Sequence, residues 1–93
     1  MDIIEFVCPF GCLIKGSIGA AAFDIKANCN IKIPKGHQAK VSTGLFLAMP
    51  QGITLILRER SGLADKGITL RAGTIDSDYR GEVKVLLQYL PCI

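Results

Sequence analysis

Apolar and polar positions alternate along much of the chain with the period of two that a strand with one buried face produces. The pattern is clearest from Glu82 to Tyr89, where Val83, Val85, Leu87 and Tyr89 share a face. Residues 38–48, QAKVSTGLFLA, alternate in part. DIIEFV near the start, FDIKA, NIKI up to Pro34, ITLILR and ITLR read as further short strands, each halted by Gly, Pro or a polar cluster. PKGH (34–37) and MPQG (49–52) are turns built on Pro and Gly. No window carries a helical repeat longer than a turn or two. SGLADKG, residues 61–67, predicts one short helical turn opening at Ser61. Short, regularly spaced strands predict an all-β sandwich or barrel. Internal repeats, linkers and low-complexity segments are absent, so residues 1–93 read as a single domain.

Composition sharpens this picture. Hydrophobic residues make up 49% of the chain and mean hydropathy is +0.38, high for so small a domain. That excess predicts either apolar surface given to a partner or a domain lacking part of its usual structure. No apolar run is long enough to span a membrane. Asp2 and Glu5 stand where a secretion signal would be basic, which predicts a protein of the cell interior. The net charge of +3 is mild and its cations are scattered, which disfavours nucleic acid and suits a small anionic ligand. Cys8, Cys12, Cys29 and Cys92 match no zinc spacing. They read as small buried or half-exposed thiols, with a Cys8/Cys12 metal or redox pair as the alternative. His37, between a turn and a strand, reads as a surface residue.

Three stretches carry chemistry. AAAFDIKA (20–27) sets Asp24 among small and apolar residues. RERSGLADKG (58–67) joins two arginines to a Ser-Gly turn; N–H groups at such a turn, a hydroxyl and a guanidinium make an anion cradle. GTIDSDYRGEV (73–83) holds Asp76, Asp78, Tyr79 and Arg80 between two glycines. Taken singly, each also fits a solvated edge residue, an ordinary turn or a hairpin tip.

In this order the three resemble the motifs of the trimeric dUTPases, all-β hydrolases that split dUTP into dUMP and pyrophosphate. AAFDIKA is similar to A-G-[YF]-D-L, RSGLADKGI to R-S-G-L-A-x-K-G, and GTIDSDYRGE to G-V-I-D-x-D-Y-R-G-E, with Thr74 for the usual Val. IPKG, STGL and MPQG resemble the turns between the first two motifs. The resemblance runs from about Leu13 to Leu87. It implies a distorted jelly roll or β-barrel assembled as a homotrimer, each site built from several subunits, with Mg²⁺ as cofactor. It implies that Asp76 deprotonates the attacking water and that the Tyr79 ring packs against the deoxyribose. Arg60, Ser61 and Gly62 would bind phosphates, and Asp24 would help hold the magnesium shell through water. Main-chain groups of the hairpin, Gly73 and Ile75 among them, would read the uracil. Asp78 is expected to hold the loop locally, Arg80 and Glu82 to fix the hairpin, and Lys66 to be a solvated turn residue.

The departures also matter. Ala22 replaces the first-motif glycine, and Glu59 replaces the proline usual before R-S-G. A carboxylate there should weaken anion binding unless Arg58 offsets it. The sequence ends before the family's fourth and fifth motifs, so the fold is expected to be incomplete at its C-terminal end, with Val83–Leu90 exposing an edge. The implied function is a dUTP diphosphatase of reduced activity. The alternatives are a non-catalytic module of the same fold that binds a nucleotide or a protein, and a truncated viral or phage gene product.

Overall fold

The computed structural model describes residues 5–7, 13–19 and 22–91. Among them are eight strands and one short helix: β1 (Glu5–Val7), β2 (Leu13–Lys15), β3 (Phe23–Ile25), β4 (Gln38–Ala48), β5 (Leu55–Ile56), α1 (Ser61–Asp65), β6 (Ile68–Arg71), β7 (Thr74–Ile75) and β8 (Glu82–Tyr89). All pairings are antiparallel. One sheet has the order β1-β4-β8-β6; β2 pairs with β3, and β5 with β7.

β4 and β8 form the spine. Their register runs from Gln38↔Gln88 to Phe46↔Glu82 and slips between Ser42 and Leu45. Gly44 sits in this bulge with φ 72°. The Thr43 hydroxyl donates to the Val83 carbonyl and accepts from Leu45 N–H, so the one buried polar side chain described is satisfied on both counts. Inward-facing Leu45, Leu47, Met49, Ile75 and Val83 form the core, with Ile25, Ile53, Leu55 and Leu57 packed against it. The core thus joins all three sheets. Burying Leu45 and Val83 contributes about 1.5–3 kcal/mol each.

The alternation seen in the sequence marks β4, β6 and β8 at the bounds read from it, and the helical turn opens at Ser61 as expected. Three expectations are corrected. The stretch NIKI forms no strand: residues 26–37 lie outside any ladder, Asn28 N–H reaches Ser42 O at 2.8 Å, and Pro34 has no N–H to extend a pairing. ITLILR keeps its alternating burial, yet only Leu55 and Ile56 are laddered. β8 is an open edge only in part, beside Glu82–Val85, because β6 covers Leu86–Tyr89. It is flanked by β4 and β6, Val83 is buried, and the described edges of its sheet are β1 and β6. Alternation reports which face is buried, not how many neighbours a strand has.

His37 is exposed as expected, its Nδ1 3.1 Å from Lys35 O, whereas Cys29, expected to be buried or half-exposed, is an exposed free thiol because it lies in the unladdered 26–37 stretch. Cys8, Cys12 and Cys92 lie outside the described residues, as does most of the stretch before β1.

Candidate functional site

The two arms of the 73–83 hairpin belong to different sheets. β7 pairs with β5, whereas β8 pairs with β4 and β6. β6 covers β8 only from Leu86 to Tyr89. Beyond Arg71 the chain turns away from β8 at Ala72, which holds a left-handed φ of 53°. A slot is left beside Glu82–Val85 where another strand would continue. It is a cleft of about 390 Å³. Thr74, Ile75 and Asp76 line one side, Glu82, Val83, Lys84 and Leu86 the other, and Tyr79 the hairpin end.

Leu70 N–H goes to Glu59 rather than to β8, which makes Leu70↔Leu87 a non-hydrogen-bonded pair. The neighbouring pair, Arg71↔Leu86, is then the hydrogen-bonded one, and by alternation Lys84 directs its N–H and C=O to the same flank, into the slot.

The hairpin tip is held by its own side chains. Tyr79 N–H closes a turn onto Asp76 O at 3.1 Å, and Tyr79 Oη donates to Glu82 O at 2.6 Å. Arg80 Nη1 donates to Ser77 O and Nη2 to Met49 O, at 2.6 and 3.3 Å, tying the loop to the chain after β4. A side chain at Gly81 would place its Cβ 2.6 Å from Tyr79 Oη, so the ring can lie there only against glycine. Glu82 turns its carboxylate to the bulge, where Oε2 accepts from Ser42 Oγ and from Gly44 N–H. The Ser42 hydroxyl, then the Gly44 N–H, hold its acid below the usual carboxylate range. Asp76 is exposed at the mouth of the slot, and Asp78 lines a second shallow pocket with Met49, Gln51, Ser77 and Arg80.

Gly73 enables the arms to separate. Its O accepts Leu57 N–H at 2.7 Å, and a Cβ there would lie 2.6 Å from Leu57 O and 2.7 Å from Leu70 Cδ2. Only glycine allows β5 and β6 to approach so closely.

Arg60, Ser61 and Gly62 stand apart from the slot. Arg60 is extended (φ −71°, ψ 145°), and its O accepts from Leu63 and Ala64 N–H, starting α1. All three residues are exposed, and none lines the slot. Glu59 Oε2 accepts Leu70 N–H at 2.9 Å; this bond, with Arg58 a lesser contributor, keeps its acid below the usual range. Lys66 is exposed. Asp24, half-buried in β3 opposite Ile14, also lies off the slot. The single chain therefore unites Asp76, Ile75 and Tyr79, sets Gly73 at the slot's foot, and leaves the Arg60 turn and Asp24 elsewhere. Sequence reading missed Lys84 and the slot walls Leu57, Ala72 and Leu86, because the gap depends on where β6 stops.

Among the described residues no three His, Cys, Asp or Glu side chains cluster as a metal cage. Asp24 is a lone hard carboxylate, a donor that suits Mg²⁺ held through water and chiefly by phosphate oxygens. No helix among the described residues is long and apolar enough to cross a membrane.

An all-β fold with a slot between diverging hairpin arms, bordered by an Asp and a Tyr, defines the class; its kinship is equally plain. Residues 10–90 match the dUTPase family. A deoxyuridine 5'-triphosphate nucleotidohydrolase of Wolinella succinogenes is 54% identical over 74 residues, covering 76% of this chain and 50% of that protein. One from Paramecium bursaria Chlorella virus 1 is 45% identical, covering 80% and 53%. The chain belongs to the dUTPase family, and it spans about half the length of the curated relatives it matches. An EIAV dUTPase structure superposes with a TM-score of 0.84 at 20% identity, over 97% of this chain and 73% of that one. A mutant dUTPase from phage phi11 of S. aureus, described with a structural Mg(II) ion, gives 0.82 at 19%, over 92% and 59%.

Proposed function

We propose that the protein is a dUTP diphosphatase, cleaving dUTP to dUMP and pyrophosphate, and that it works as a homotrimer in which a neighbouring copy brings Arg60, Ser61, Gly62 and Asp24 to the Asp76 slot. One observation carries the reading most: Asp76 and Tyr79 border the same slot, into which a strand directs main-chain donors and acceptors. Family membership and kinship with deoxyuridine 5'-triphosphate nucleotidohydrolases support the substrate.

The uracil enters between β7 and β8. Main-chain groups of the hairpin arms, those of Lys84 directed into the slot among them, meet its edge, while Gly73 O and, by alternation, the main chain of Ile75 are given to the β5 ladder and fix that wall. A base with the opposite donor order, such as cytosine, leaves these groups mismatched, and thymine's methyl meets the wall. The Tyr79 ring, pinned through Oη to Glu82 O, lies flat on the sugar and leaves no room for a 2′-hydroxyl. Arg60 and Ser61 neutralise the triphosphate, and Gly62 lets the main chain come close. Asp76 accepts the proton of a water as its oxygen bonds to phosphorus and the bond to the pyrophosphate oxygen breaks. Asp24 would hold water of a magnesium shell; when bound, that ion neutralises phosphate charge.

Pyrophosphate release from dUTP with Mg²⁺, for the native chain against Asp76→Asn, tests the proposal. Equal rates exclude it. The separation of the Arg60 turn from the slot favours one other reading, a module that binds a nucleotide without turning it over. Tight binding of a non-hydrolysable dUTP analogue with no pyrophosphate release would select it.

A further inference from the structure

β5 and β7 pair as Leu55↔Ile75 and Ile56↔Thr74, and Leu57 N–H continues the ladder onto Gly73 O. The next step would set Arg58 against Ala72, whose left-handed φ breaks the repeat. Past this break the main chain of residues 58–60 is no longer laddered. A side chain makes the next bond instead: Glu59 Oε2 accepts Leu70 N–H at 2.9 Å. Leu70 lies on β6, the outer strand of its sheet, and this N–H faces away from β8. The carboxylate therefore closes an otherwise open edge. It also fastens the chain one residue before Arg60, whose carbonyl starts α1. α1 itself has no buried residue and no side-chain cap, so the turn is held at its two ends, by Glu59 at the start and by Gly67 O, which accepts Leu90 N–H at 2.7 Å, at the finish.

We infer that Glu59 is a positioning residue: its clasp on Leu70 N–H fixes where Arg60, Ser61 and Gly62 present their donors. The inference rests on the proposed role of those three residues in holding phosphates. It reverses the expectation that a carboxylate beside the cradle simply repels the anion. The acid is already hydrogen-bonded to the strand, so its effect on binding comes through geometry.

Affinity for a non-hydrolysable dUTP analogue with Mg²⁺, measured by calorimetry on the full chain, separates the two effects. Glu59→Ala and Glu59→Asp, whose shorter side chain keeps the charge but not the reach, are expected to weaken binding about tenfold. Glu59→Gln, whose amide oxygen still accepts the bond, should stay within about twofold. Deoxyuridine, which has no phosphates, should bind all four proteins equally, and Leu70 amide exchange should quicken in the Ala and Asp variants alone. Arg60→Ala serves as the reference. If it weakens binding while Glu59→Ala and Glu59→Asp do not, Glu59 has no positioning role and the cradle assignment stands. If Glu59→Ala and Glu59→Gln both tighten binding, repulsion dominates and the inference is overturned. If Arg60→Ala has no effect, or the native chain does not bind the analogue, the phosphate assignment itself fails, and the inference with it.

Discussion

The slot and the Arg60 turn are built in opposite ways. The slot's arms are rooted in the core through Ile75 and Val83, both buried, and its tip is closed by the hydrogen bonds of Tyr79 and Arg80. The turn hangs from the surface: every residue from Arg60 to Lys66 is exposed, with Glu59 tethering its start and Gly67 O, which accepts Leu90 N–H, its end. Under the proposed function, shape selection, which needs rigid walls, falls to the part that packing supports, and phosphate binding to the part that hangs free. Charge neutralisation works over a distance and tolerates a looser mount. The contrast also separates two kinds of damage. Substitutions in the slot should change stability and selectivity together, whereas those in the turn should change anion affinity and leave folding intact.

The largest expected effect is on chemistry. Asp76→Asn should lower dUTP hydrolysis by about 10² or more, because proton acceptance is lost while the slot is unaltered. Pyrophosphate release with a matched affinity measurement reads this. Next is Gly73→Ala, which drives a Cβ into Leu57 O and should cost about 2–3 kcal/mol in a urea unfolding curve. Gly81→Ala meets a movable side chain instead. It should displace the Tyr79 ring, lose about 1 kcal/mol with the Oη–Glu82 O bond, and reduce the preference for dUTP over UTP. Leu63→Ala, in the exposed α1, should change stability by no more than about 0.5 kcal/mol. If it costs as much as Gly73→Ala, the division between a rooted slot and a hanging turn is wrong.

A subtler effect comes from acid. Glu82 titrates below its ordinary value of 4.5 when folded, so its contribution is complete above the unfolded value and is lost as pH falls through the folded one. The gap in urea midpoint between the native protein and Glu82→Gln should hold steady from neutral pH to about 5 and close below 4.5.

Much of this was legible in the sequence where the signal is local. β4, β6 and the turn at Ser61 follow from alternation and from Gly and Pro punctuation, and the third motif marked the Asp76–Tyr79 tip. What escaped depends on partners distant in the chain. β8 gained a second neighbour because β6 folds back on it, and partners that lie 21 residues apart at Ile68↔Tyr89 and 15 apart at Arg71↔Leu86 are out of reach of any short window. Arg80 finds Met49 O, and Glu59 finds Leu70 N–H, through tertiary approach alone. The place of Lys84 beside the slot was hidden for another reason: a main-chain donor leaves no mark on residue type.

Ala72 stands between β6 and β7 as a kink in the main chain. An alanine with positive φ is about 1 kcal/mol less comfortable than in an extended conformation. For β7 to zip onto the bare flank of β8, Ala72 would have to leave that conformation and β7 would have to give up both its ladder with β5 and the burial of Ile75. The opening therefore outlasts the small relief that closing it would bring.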